Sequence, residues 1–176
     1  YRPSVPFPTL LAWSYLNVLT RKREEFLRAE YGDLDAALLS LGEPLLRRLG
    51  CGNEMVGTTL RRFAAFDADG YARTLDELGI RLLPFAPPPD PPVFLHAEGD
   101  LSMLDRPCLP PVGPRRMTPY GRRAARDLAA AACAAGFTTV SGLAEGVDGE
   151  VAGATLEAGG QTGPALGPGL GRIFPA

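Results

Sequence analysis

From Leu109 onward the sequence alternates strand-like and helix-like segments, and this alternation restricts the fold more than any other feature of the chain. Thr118-Pro119 opens an Ala-rich helix over roughly Tyr120–Ala135, because a hydroxyl at the cap followed by proline at the first helical position is a strong start signal. Gly136 closes that helix, Phe137–Ser141 is rich in β-formers, and Gly142–Gly149 reads as a loop. A second helix is expected over Val151–Ala158, closed by Gly159-Gly160, and a third strand over Thr162–Leu166. Such a series predicts an α/β fold with a parallel, Rossmann-like sheet. In sheets of this kind ligands bind beyond the carboxyl ends of the strands. Two loops are therefore singled out, Gly113–Gly121 and Gly142–Gly149.

The N-terminal part has a different texture. Residues from Thr9 to Thr74 read as helical, broken at Tyr31-Gly32-Asp33 and around Gly50-Cys51-Gly52, with Asp33 placed to cap the helix beginning at Leu34. A small module of three to five helices is expected. Ile80–Leu83 reads as a short strand, and the proline run Pro87–Pro92 then excludes regular structure. Val93–Ala97 is a further strand, and its His96, the single histidine, reads as a half-buried structural residue rather than a ligand. The expected organisation is a helical domain over 1–74, a Pro-rich linker with a short strand over 75–92, and the first part of a Rossmann-like domain over 93–176.

Composition narrows the function. With 176 residues, 45% of them hydrophobic, the chain can bury a core and is long enough for one ordinary domain or a small domain joined to a partial one. Its apolar stretches fall well short of a membrane span, and no basic-then-apolar leader opens it, so no membrane role is expected. Cys51, Cys108 and Cys133 are scattered and odd in number, which fits reduced thiols in a cytoplasmic protein better than a disulfide framework or a zinc site. The chain opens on Tyr1 rather than Met, from which a fragment of a longer protein is expected.

Charge is unevenly placed. Arg115, Arg116, Arg122, Arg123 and Arg126 fall within residues 113–126, where no acidic residue occurs, although the net charge of the whole chain is −2. Residues 127–176 carry the opposite bias, with Asp127, Glu145, Asp148, Glu150 and Glu157 against Arg172. Arginine forks in a loop that feeds a helix N-terminus suit a phosphate-bearing ligand, since the free amides there attract anions. Arg115 and Arg116 lie in the loop itself and carry this reading. Arg122, Arg123 and Arg126 read more simply as a solvated helix face, Arg122 being kept among the candidates for its place in the first turn. The loop is neither a Gly-x-Gly-x-x-Gly fingerprint nor a Walker loop, so a dinucleotide or triphosphate is not indicated. In the second loop Asp148 reads as a cap for the following helix. No catalytic set, metal site or cofactor is expected.

At these loops the sequence resembles the DprA (DNA-processing protein A, Smf) family of bacterial natural transformation. The resemblance is carried by Val112-Gly113-Pro114-Arg115 with Thr118-Pro119-Tyr120-Gly121, then by Val140–Asp148, Thr155–Gly160 and Leu166–Pro175, in the family's order and spacing. It implies a Rossmann-like domain that continues past Pro175, so that the sheet here is truncated, preceded by a helical domain of sterile-alpha-motif-like type. It further implies a protein without catalytic activity that binds single-stranded DNA, protects incoming strands during competence and recombination, and helps load the RecA recombinase, usually as a homodimer. Carried over residue by residue, Gly113, Arg115, Thr118 and Gly121 fall on the first DNA-binding loop, and Ser141, Gly142 and Gly146 on the second. Arg116 and Arg122 join the candidate DNA-binding residues from the charge of the loop and the first turn rather than from the resemblance. The chain departs from the family pattern where Pro114 replaces a serine, Glu145 a basic or neutral residue and Ala152 a common histidine, where Pro110 and Pro111 stand in the first strand, and where Gly163-Pro164 interrupt the third. The competing reading is an enzyme, a nucleotide phosphoribohydrolase of the lysine-decarboxylase-like Rossmann group. Its Pro-Gly-Gly-x-Gly-Thr-x-x-Glu stretch does not occur here, Gly159-Gly160-Gln161-Thr162 being the nearest approach.

Overall fold

The computed structural model describes residues 7–84 and 92–166. The expected proline run and the Leu166–Pro175 block lie largely outside them. The chain divides into two compact units, residues 1–97 and 98–176.

Among the described residues the first unit holds six helices where three to five were expected: α1 (Phe7–Leu16), α2 (Arg21–Tyr31), α3 (Leu34–Leu39), α4 (Glu43–Arg48), α5 (Asn53–Ala64) and α6 (Ala68–Glu77). The extra count arises because turns as short as Gly32-Asp33 separate them, too tight for composition alone to resolve. A two-stranded sheet follows, β1 (Ile80–Pro84) with β2 (Phe94–Glu98). Helix α1 is apolar on nearly every side and is packed by α3, α5 and α6, so it forms the centre of the unit. Its Trp13 is wholly buried, and the indole Nε1 donates to the Leu34 carbonyl at 3.0 Å. The expected Asp33 cap is present, its carboxylate accepting from the Ala36 amide at 2.8 Å.

His96 is exposed rather than half-buried as the sequence suggests, and its Nε2 lies 2.9 Å from the Ser14 hydroxyl and 3.1 Å from that of Tyr71, so it serves structure through these bonds. It thereby ties β2 to α1 and α6. Partial desolvation of the ring against α1 and α6 pushes the imidazole pKa below its ordinary value of 6.5. A base whose folded pKa is depressed prefers to be neutral in the native state, so protonation favours unfolding. Stability from this group is therefore complete above about pH 6.5 and is lost as the pH falls below it. We expect the urea midpoint of the wild type to drop between about pH 7.5 and about pH 5 by more than that of His96→Gln. Equal drops in the two proteins would rule this out.

The second unit is α/β. A short 3-10 turn (Leu101–Asp105) leads to β3 (Cys108–Leu109), α7 (Pro119–Ala134), β4 (Thr138–Ser141), α8 (Val147–Glu157) and β5 (Thr162–Pro164). The strands lie in the order β3-β4-β5, both pairs parallel, with Cys108 opposite Thr138 and Thr139 opposite Thr162. Strand β3 stops after two residues because Pro110 and Pro111 have no amide to donate to the ladder. The core between helices and sheet is made of small residues, Ala125, Ala129 and Ala154 with Val151, which bring α7 and α8 close together. Two buried hydroxyls are matched: those of Thr139 and Thr155 meet at 3.1 Å, and Thr155 Oγ1 donates to the Val151 carbonyl. No helix among the described residues is long and apolar enough to cross a membrane.

Candidate functional site

Parallel pairing of β3 with β4 puts the segments that leave their carboxyl ends side by side. The first runs from Pro110 to Thr118 and enters α7, and the second runs from Gly142 to Gly146 and enters α8. Their backbones touch. The Val147 amide donates to the Pro114 carbonyl at 3.3 Å. Gly146 adopts φ 96° and ψ −135°, and a methyl group there would overlap the Pro114 carbonyl oxygen and the Arg115 backbone. Gly113 approaches the Val147 side chain just as closely. These two glycines are needed for lack of bulk, Gly146 also for its positive φ. Val147 and the Pro114 carbonyl were not apparent from sequence. The signal for them was the pair of glycines at the ends of adjacent strands, which marks a close backbone approach.

The start of α8 differs from expectation. The helix begins at Val147, four residues before the expected Val151, and its cap is Gly146 without a side-chain bond. Asp148 is therefore inside the first turn and is not the cap. Its carboxylate lies beside Gly142, and with Glu150 it places negative charge at the positive end of the helix. With the Val147 amide engaged as well, the start of α8 is closed to anions. Ser141 is buried, and its hydroxyl accepts from the Leu143 amide at 3.4 Å. Leu143 itself holds φ 52°, an uncommon left-handed conformation for a branched aliphatic residue. Gly142 is exposed.

The first loop is the electropositive side. Helix α7 begins at Pro119, capped as expected by Thr118, whose hydroxyl accepts from the Gly121 amide at 3.1 Å while its carbonyl accepts from Arg122. Proline has no amide, so the Tyr120 amide is the one in this turn that donates to no acceptor among the described residues. Arg115, Arg116 and Arg123 are exposed and form no ion pair among those residues. Arg122 and Arg126 differ from the open cationic face that the sequence offers. Both reach Glu150 at 3.0 Å, and Arg126 also pairs with Glu157. The Glu150 bond, then those to Glu157, hold the Arg126 guanidinium still more firmly in its charged form. Arg122 and Arg126 thus latch α7 to α8, while Arg115, Arg116 and Arg123 remain open to a ligand. Among the described residues, no group of three His, Cys, Asp or Glu side chains is placed to hold a metal ion.

A family model described as DNA recombination-mediator protein A matches residues 62–176. The chain is 37% identical over 87 residues to "DNA processing protein DprA" of Bacillus subtilis, a stretch covering 49% of this chain and 29% of that protein. It is also 37% identical over 118 residues to "Protein Smf" of Synechocystis, covering 65% of this chain and 27% of the relative. It therefore spans under a third of the length of either. Among solved structures, that of DNA processing protein A from Streptococcus pneumoniae superposes with a TM-score of 0.67 at 21% identity, over 97% of this chain and 61% of the other. That likeness shows the fold.

Proposed function

The chain belongs to the DNA recombination-mediator protein A family, and from that membership we propose that it binds single-stranded DNA at its first loop, shields the strand and helps load the RecA recombinase. The observation that carries the proposal is the set of exposed, unpaired arginines Arg115, Arg116 and Arg123 around the end of β3, beside a second loop whose own charge is negative. Phosphates are drawn to the first loop and kept from the start of α8. In this reading Gly113, Thr118, Gly121 and Gly146 shape the loop, Arg115 and Arg116 hold phosphate, and Arg122 joins them only by leaving Glu150. Ser141 and Gly142 support the second loop from below and beside it. The role is one of binding without catalysis, performed in the cytoplasm by a homodimer and requiring no cofactor.

The test is a titration of labelled single-stranded and duplex oligonucleotides at two salt concentrations, beside Arg115→Glu. Binding of the wild type should fall steeply with salt. Arg115→Glu should weaken it by more than about tenfold, as loss of a charge-assisted phosphate bond requires. The logarithmic salt slope should drop by roughly 0.7 for each phosphate of the single strand that the variant no longer neutralises. Equal affinity and slope in the two proteins would overturn the placement of the site on this loop.

A further inference from the structure

Tyr120 stands at the second position of α7 with 74% of its surface exposed, an unusual place for a large aromatic ring. Packing does not account for it. Helix α7 buries Ala125, Ala129 and Ala132, and helical spacing puts Tyr120 on the opposite side, over the exposed Arg123 and Ala124 one turn on. Its hydroxyl has no hydrogen-bond partner among the described residues. Val112, at the start of the same loop, is 91% exposed, so the cationic loop carries apolar surface on both sides.

Charge alone cannot give this loop a preference for single strands. A duplex carries about one negative charge per 1.7 Å of its axis, more than one strand does, so a purely cationic surface favours the duplex. A preference for single strands needs an interaction that only unpaired bases can make. An exposed ring supplies one, because every base has a face to stack on it, whereas bases in a duplex are already stacked on one another.

We propose that the Tyr120 ring is the platform on which an unpaired base stacks while Arg115 and Arg116 hold the adjacent phosphates, and that this ring sets the preference for single-stranded over duplex DNA. The inference rests on the DNA-binding reading above. The ring meets the base without adding charge, so it raises affinity for single strands and leaves the salt dependence to the arginines.

The test compares wild type, Tyr120→Ala, Tyr120→Phe and Arg115→Glu on three labelled probes of equal length: a single-stranded oligonucleotide, its duplex, and a strand whose central nucleotides are abasic. Circular dichroism establishes that each variant is folded. Tyr120→Ala should bind the single strand about tenfold more weakly, bind the duplex and the abasic strand as the wild type does, and keep its salt slope. Tyr120→Phe should bind as the wild type. Unchanged binding of the single strand by Tyr120→Ala would overturn the proposal, as would an equal loss on the abasic strand, which would make the ring a support for the loop. Retained binding by Arg115→Glu alongside unchanged binding by Tyr120→Ala would remove the loop as the DNA site altogether. Loss in Arg115→Glu alone would leave the DNA-binding reading standing without the stacked base.

Discussion

Gly146→Ala should cost the α/β unit about 3 kcal/mol or more and abolish tight DNA binding. Two penalties act together. The residue holds φ 96° and ψ −135°, a region open almost only to glycine, and forcing alanine into it costs on the order of 1–3 kcal/mol. The added methyl also meets the Pro114 carbonyl and the Arg115 backbone, and overpacking of that kind costs about 1–3 kcal/mol more. The chain escapes by moving the first loop, and the arginine proposed to hold phosphate moves with it. Urea unfolding followed by circular dichroism measures the first effect, and oligonucleotide titration the second. Stability and affinity both within error of the wild type would show that the two loops do not rest on one another. The substitution should act on the second unit, so the fluorescence of Trp13, the only tryptophan, should report an unchanged helical unit.

Trp13→Ala should cost the helical unit about 3–5 kcal/mol, the range for removing a fully buried large aromatic side chain. Stabilities of whole domains are typically about 5–15 kcal/mol, so this one change removes a large fraction. The indole fills the centre of a core that includes Leu27, Leu34 and Leu46, and its Nε1 bond to the Leu34 carbonyl fixes α1 against the start of α3. Trp13→Phe keeps much of the volume and loses the bond, so it should cost about 1–2 kcal/mol. Thermal and urea unfolding by circular dichroism rank the three proteins. A Phe variant as unstable as the Ala variant would assign the effect to the hydrogen bond rather than to packing.

What could be read in the sequence was whatever is decided within a few residues. The Thr118-Pro119 start of α7, the Asp33 cap of α3 and the alternation of strands with helices are local signals, and each stands where the residues put it. Membership in the family followed from the same stretches. The start of α8 was misplaced because its entry is set by a carbonyl from another loop: Pro114 accepts from the Val147 amide, and no capping side chain marks the spot. The neutralisation of Arg122 was hidden for the same reason. Its partner Glu150 lies on a different helix, and only the close approach of two Ala-lined surfaces brings them together. His96 was legible as structural, yet its partners Ser14 and Tyr71 come from helices far away in the chain.

The meeting of Gly146 with the first loop also bears on how the protein is made. Arg115 leaves the ribosome before β4, the second loop and α8 exist, so the cationic segment first emerges without the backbone that shapes it. It reaches its final form only when the later segment has folded against it, as expected where a domain folds as a unit. If the loop binds DNA as proposed, that grip is thus withheld from the nascent chain. On that reading, selection for the grip also falls on Gly146, whose lack of a side chain lets the two loops meet.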